Sequence, residues 1–201
     1  MNEKHMEKDK GTQLSPAYRL FNKLGLIGNT ERYGRMSMIG MIWFSIVTLY
    51  RRIIFNYAYK AYIFEPLYKK RLRPTIWRRL GCEVGKNVHI GHQVRLDFGN
   101  SNRIHIGDDV VISNGVTILC HKRDVRNYKQ GDRSTQLPFI YDDVNLETGC
   151  QIGINTTILP GVTIGEGAII GSCSLVTKDI PAWSIAVGCP AKVIRNVGEG
   201  D

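Results

Sequence analysis

The sequence predicts an all-β solenoid, a parallel β-helix wound from six-residue repeats, preceded by an N-terminal helical segment. Three observations carry this. From Val84 onward an aliphatic residue recurs every sixth position, a small or β-branched residue stands two places before each, and the chain ahead of Gly81 follows a helical period instead. The aliphatic series reads Val84, Ile90 and Leu96, then Ile106, Ile112 and Ile118, then Leu146, Ile152, Ile158, Ile164, Ile170 and Val176. Its companions are Cys82, Val88, Val94, Ile104, Val110, Val116, Val144, Cys150, Thr156, Val162, Ala168 and Ser174. Three such edges close one triangular turn of about 18 residues, so the array makes about four turns. In this reading the aliphatic residue fills the interior and the small one fits near the corner. The Gly after Val84, Ile90, Ile106, Ile152, Ile164 and Ile170 tolerates the backbone of the bend. Six is a multiple of two, so ordinary alternating strands compete with the coil. Unbroken register from Leu146 to Val176 weighs against them.

Ahead of the repeats the apolar positions Ile39, Ile42/Trp43, Ile46, Leu49/Tyr50, Ile53/Ile54 and Tyr57 have helical spacing. The least polar stretch, Met36 to Tyr50, is flanked by Arg35, Arg51 and Arg52. It is shorter than the ~20 apolar residues a bilayer crossing needs. After Pro66 comes a basic run, Lys69, Lys70, Arg71, Arg73, Arg78 and Arg79, with the aromatics Tyr57, Tyr59, Tyr62 and Phe64 ahead of it and Trp77 within it. Two readings follow. The helix packs on the coil or on a neighbouring subunit, or residues 36–79 lie peripherally on an anionic membrane. The formal charge of +9 suits anionic partners in general. No nucleic-acid-binding motif accompanies it, so nucleic acid is not expected. The division expected is 1–80 for a polar tail and the amphipathic, basic helical segment, 81–195 for the coil with a loop at 121–143, and 196–201 for a tail.

The five cysteines, Cys82, Cys120, Cys150, Cys173 and Cys189, are odd in number and form no C-x-x-C pair, so they read as small buried thiols in a reducing compartment. The charged N-terminus carries no secretory apolar core. A cytoplasmic location is expected, with peripheral placement on the inner face of the cell membrane if the helix docks there.

Two interruptions break the six-residue register. The first adds four residues around Phe98–Asn102. The second is a long charged loop after Cys120, running to about Asp143. A loop thrown from one corner of a smooth solenoid is where a pocket can be built, and His121 stands at the root of this one.

The run Val116-Thr117-Ile118-Leu119-Cys120-His121, the loop, and then QIGINTTILPGVTIGEGAIIGSCSLVTKDIPAWSIAVGCPAKVIR from Gln151 to Arg195 resemble the hexapeptide-repeat O-acetyltransferases. The branch is that of galactoside, maltose and nodulation-factor acetyltransferases, with colanic-acid and capsule O-acetyltransferases beside them. The resemblance implies a left-handed coil, an exception to the right-handed crossover rule. It also implies a homotrimer with active sites between subunits, acetyl-CoA as acetyl donor, no metal, and a carbohydrate acceptor. The family's histidine falls on His121. A hydroxyl is a poor nucleophile until a base takes its proton, and histidine suits that near neutral pH. Asp124, three residues on, is one candidate to orient it. Coenzyme contacts carried over by position fall on Ile154, Ser172, Thr177, Lys178, Lys192 and Arg195. Acceptor contacts are expected at Gln93, Asp97 and Asn100. Two positions depart from the pattern: Gln151 stands where a Trp is common, and Gln93 where the galactoside enzymes have an acceptor-binding Asn.

A γ-class carbonic anhydrase would use the same coil with three zinc-binding histidines, and His89, His92 and His105 raise that reading. Only His121 follows them, and the closing PAKVI favours coenzyme A. The remaining alternatives are acetyl transfer to a soluble small molecule (a free sugar, amino sugar or antibiotic) and a non-catalytic scaffold. The resemblance and the basic amphipathic helix together favour an acceptor in surface-polysaccharide biosynthesis.

Overall fold

The computed structural model describes residues 14–24, 33–60 and 71–198. Lys69, Lys70, Tyr62 and Phe64 of the aromatic and basic stretch lie outside the described residues, as does most of the N-terminal tail. Residues Met1–Ile53 and Ile54–Asp201 form two compact units, whereas the change of period placed the boundary at residue 80.

Among the described residues the first unit holds one short helix and most of a longer one. In α1 (Pro16–Lys23) Ser15 caps the N-terminus, its hydroxyl accepting the Tyr18 N–H at 3.1 Å, and Pro16 takes the first helical position, where no N–H is needed. This helix falls in a stretch read as polar tail, although Ser-Pro was its start signal. Helix α2 (Met38–Lys60) covers the stretch expected to be helical. Ala17 and Tyr18 of α1 and Met41 of α2 make a small buried cluster. Ile39, Ile42, Trp43, Ile46, Leu49, Tyr50 and Ile53 remain exposed along α2. No described helix is long and apolar enough to cross a membrane.

The second unit is a coil of three parallel sheets. Its first three strands are β1 (Glu83–Val84), β2 (His89–Ile90) and β3 (Arg95–Leu96), and the next three are β4 (Ile104–Ile106), β5 (Val111–Ile112) and β6 (Thr117–Ile118). A ribbon of β7 (His121–Arg123) and β8 (Phe139–Tyr141) then leaves the coil, which resumes as β9 (Val144–Leu146), β10 (Gln151–Ile152), β11 (Thr157–Ile158), β12 (Thr163–Ile164), β13 (Ile169–Ile170) and β14 (Leu175–Val176). Strands β15 (Ser184–Gly188) and β16 (Ala191–Asn196) close it as an antiparallel pair. The sheets run β1-β4-β9-β12, β2-β5-β10-β13-β15-β16 and β3-β6-β11-β14, so successive strands visit the three faces in rotation.

Register stacks like on like. Ile90, Ile112, Ile152 and Ile170 pair down one face, and Leu96, Ile118, Ile158 and Val176 down another. The aliphatic residues and their companions both point inward: apart from half-buried Val84, all are buried. Helix α3 (Arg73–Leu80) covers the open first turn, with Ile76, Trp77 and Leu80 joining the coil core. Arg73, read as part of a surface basic run, is instead buried; it donates to the Ile90 carbonyl at 3.0 Å and meets His92 Nδ1 at 2.7 Å.

The repeat glycines have a different reason from the one expected. Their φ values are ordinary. A Cβ on Gly91, Gly107 or Gly153 would instead lie 2.7, 2.7 or 2.5 Å from a backbone nitrogen of the next turn. The left-handed corner comes three residues before ten of the twelve aliphatics, at Gly81, Asn87, Gln93, Asp109, Gly115, Gly149, Asn155, Gly161, Gly167 and Cys173, and is missing before Ile106 and Leu146, which follow the two breaks. Cysteine burial is also mixed: Cys82, Cys120 and Cys150 are buried, while Cys173, at such a corner, and Cys189 are exposed.

Candidate active site at the interrupted corner

Strand β3 ends at Leu96, and the extra residues of the first break form a 3-10 turn over Phe98–Arg103. This turn holds Asp97 inward at the end of one sheet, beside the point where β6 ends and the loop departs. The Asp97 carboxylate accepts the Cys120 N–H at 3.0 Å and contacts His121 Nδ1. Asn100 Nδ2 donates to the other carboxylate oxygen at 3.0 Å. Three donors thus converge on a buried acceptor. Asn100 Nδ2 also lies 3.4 Å from His121 Nδ1, but the carboxylate is the stronger partner, so the Nδ1–H tautomer is assigned, which turns the acceptor nitrogen Nε2 away from Asp97. The His121 side chain is 37% exposed against 6% for Asp97, so the imidazole is open to solvent while its anchor is not.

Asp97 was expected on the acceptor side and stands behind the imidazole instead. Asp124, the sequence candidate for orienting it, is engaged elsewhere. It accepts from Arg126 Nε at 2.9 Å and Arg126 Nη2 at 2.7 Å, and this hydrogen bonding holds its carboxyl down at about 2. Cys120, next to His121, is excluded as a nucleophile. Burial, then the Asp97 and Asp143 carboxylates, push its thiol up to about 12, so it stays protonated near neutral pH.

The ribbon β7–β8 places two aromatic rings against the histidine. Phe139 meets it edge-on at 5.2 Å between centroids, and Tyr141 lies at 6.3 Å. Neither was singled out from the sequence. The signal was an apolar island, Leu137-Pro138-Phe139-Ile140-Tyr141, inside a charged loop.

Ile154 and Ser172 lie on adjacent turns at the corner entering the β3-β6-β11-β14 sheet, where the Cys173 N–H donates to the Ile154 carbonyl at 2.7 Å. Thr177 and Lys178 follow β14 at the opposite edge of that sheet, the edge from which His121 also departs. Lys192 and Arg195 are exposed on β16, paired with Val187 and Ile185. Gln93 takes an exposed left-handed corner just before β3, whereas Asp97 follows the end of that strand. His105 is paired with Glu83 at 2.8 Å and His92 with Arg73, so neither turns toward His121. Among the described residues no group of three or more His, Cys, Asp or Glu is placed to hold a metal ion.

The family model of the bacterial transferase hexapeptide (six repeats) matches residues 143–178. Galactoside O-acetyltransferase of Escherichia coli is 33% identical over 122 residues, 58% of this chain and 58% of that protein. The chain spans about three fifths of the length of the curated relatives it matches. Among solved structures, a maltose O-acetyltransferase from Clostridium difficile is similar with a TM-score of 0.58 and 26% identity, over 76% of this chain and 87% of that one. A galactoside acetyltransferase in complex with coenzyme A has the same fold, with a TM-score of 0.56 and 24% identity over 76% and 81%. The coil is similar over most of its length to these galactoside and maltose O-acetyltransferases, and its residues 143–178 carry the repeats that match the bacterial transferase hexapeptide model.

Proposed function

We propose that the protein is an acetyl-CoA-dependent O-acetyltransferase acting on a sugar hydroxyl, with His121 as general base. What carries the reading is the contact of His121 Nδ1 with buried Asp97, which leaves Nε2 basic at the mouth of the interrupted corner. The acceptor hydroxyl gives its proton to Nε2 as its oxygen attacks the thioester carbonyl. The tetrahedral oxyanion collapses, the carbon–sulfur bond breaks, and the thiolate of coenzyme A takes the proton back from Nε2. The products are the acetyl ester and free coenzyme A. Base catalysis of this kind contributes about 10²–10⁴-fold. Asp97 is a positioning residue: it fixes tautomer and ring orientation without touching substrate.

Residues 81–195 with the loop 121–143 are the acetyltransferase domain in this reading, and the coil is left-handed as in the enzymes it resembles. Ile154 and Ser172 bound the thioester arm, Thr177 and Lys178 flank it, and Lys192 and Arg195 meet phosphates, with Gln93 and Asn100 on the acceptor side. Coenzyme residues at opposite edges of one sheet support a homotrimer, because a ligand held between two coils meets one edge from each. Sedimentation at a monomer mass would remove that arrangement.

The exposed apolar face of α2, with Arg35, Arg51 and Arg52 near it, supports peripheral contact with an anionic membrane and hence a lipid-linked polysaccharide precursor as acceptor. Flotation with phosphatidylglycerol liposomes tests this, and a protein that stays at the bottom of the gradient rules it out. The central experiment is acetyl transfer from acetyl-CoA to a panel of glycosides, followed as free thiol. The wild type should release coenzyme A only with a suitable acceptor. Absence of turnover and of coenzyme A binding at millimolar ligand would return the coil to a scaffold.

A further inference from the structure

The pairing of β7 with β8 decides which side chains share a face with the base. His121 stands opposite Tyr141, and Arg123 opposite Phe139. Side chains alternate along a strand, so these four occupy one face of the ribbon and Lys122 with Ile140 the other. The two aromatic rings lie 6.1 Å apart at 45° and both remain 41% exposed. They are fixed rather than buried. The Arg123 guanidinium sits 3.9 Å from the centre of the Phe139 ring and donates to the Leu137 carbonyl. Arg103 lies 5.9 Å from the centre of the Tyr141 ring and pairs with Asp143 at 2.7 Å. Large apolar rings held half in water beside a base are a surface prepared for a ligand with an apolar face.

We propose that Phe139 and Tyr141 form an aromatic wall that receives the apolar C–H face of a pyranose ring and delivers one of its hydroxyls to Nε2 of His121. This rests on the acetyl-transfer reading and assigns the side chains that would seat the sugar within it. A pyranose presents several C–H bonds on one face, which lie flat on an aromatic ring, while its hydroxyls project from the rim. Stacking therefore sets the height and tilt of the reacting oxygen without a dedicated hydrogen bond. An open-chain alcohol has no such face and gains nothing from the wall.

The test uses the full chain with Phe139→Ala and Tyr141→Ala, and Tyr141→Phe as the conservative control. Two readouts run in parallel: acetyl transfer to methyl hexopyranosides and to glycerol, and saturation-transfer NMR of the same glycosides without coenzyme. Each Ala variant should raise KM for the glycoside about tenfold, the size of a lost aromatic contact, and leave KM for acetyl-CoA unchanged. Tyr141→Phe should behave as wild type, and the sugar C–H signals should fade only in the Ala variants. Unchanged glycoside KM and unchanged sugar signals in both Ala variants overturn the wall. So does a loss that sedimentation traces to altered assembly, which would mean the rings face a second copy. If the wild type contacts glycosides through these rings but transfers no acetyl group, the wall stands and the acetyl-transfer reading fails. If it acetylates glycerol as readily as glycosides, transfer stands and the wall fails.

Discussion

The two stretches of the coil obey one six-residue rule and do different work. From Val144 to Val176 every inward residue is exposed by 2% or less, and one uninterrupted turn separates stacked partners such as Asn145 and Thr163, Gln151 and Ile169, or Thr157 and Leu175. From Cys82 to Ile118 the same alternation holds, but the turns are lengthened. Glu83 pairs with His105, His89 with Val111 and Arg95 with Thr117 across the first break. His105 pairs with Asn145, Val111 with Gln151 and Thr117 with Thr157 across the second. Each break shifts all three faces equally, so extra chain leaves at a corner and the stacking resumes undisturbed. Lengthening a corner costs little, because loop-closure entropy grows slowly with length. Regular repetition therefore supplies the scaffold, and the residues proposed for the chemistry stand where repetition stops: Asp97 and Asn100 at one break, His121, Phe139 and Tyr141 at the other.

That contrast can be broken on either side. The largest effect expected is at the interrupted corner, where His121→Ala should lower the rate of acetyl transfer by about 10³-fold with an unchanged melting temperature. Retained turnover would remove His121 from the mechanism. In the unbroken half, Ile158→Ala should cost about 2–5 kcal/mol in denaturant unfolding, since Ile158 is fully buried between Ile118 and Val176. A loss near zero there would mean that the coil core does not hold the fold. Asp97→Asn keeps the shape but offers the imidazole an amide. It should reduce kcat by about 10²-fold while KM for acetyl-CoA stays put, as expected of a group that acts through tautomer rather than contact.

Glycines sharpen the comparison further. Gly153→Ala forces a Cβ to 2.5 Å from the Ser172 nitrogen and should destabilise by about 1–3 kcal/mol, whereas Gly99 in the first break has nothing within 4 Å of its Cβ position and should accept Ala at about no cost. Equal melting temperatures for the two variants would contradict the close-approach account. The smallest effect is chemical: in native protein only Cys173 and Cys189 should react with iodoacetamide, and Cys82, Cys120 and Cys150 only after unfolding. Mass spectrometry of the alkylated peptides would show any departure.

Most of the coil was legible in residue order because its contacts repeat. An aliphatic at every sixth position has the same neighbour a turn above and below, so a local pattern fixes long-range pairing. Helix α2 was legible for the same reason, through its helical period. Helix α1 was not: its eight residues are amphipathic but make only about two turns, too few for a period to stand out from chance spacing. The reason for the repeat glycines was also hidden, since close approach to the next turn is a relation between residues a full turn or more apart.

The candidate site divides in the same way. His121 could be picked from its position at the root of a loop and from the family resemblance. Its partner could not: Asp124 is nearer in sequence, but its carboxylate turns to Arg126, and Asp97 arrives from the preceding turn of the coil. The aromatic pair likewise depends on a strand that returns only after the charged loop between Arg123 and Phe139. Sequence alone determined what periodicity can encode, namely the three-sided coil, its inward residues and the places where it stops. Which side chains meet at those stops was decided by tertiary structure, because a hydrogen bond or a ring contact depends on distances between different turns, and an irregular corner has no period from which to read them.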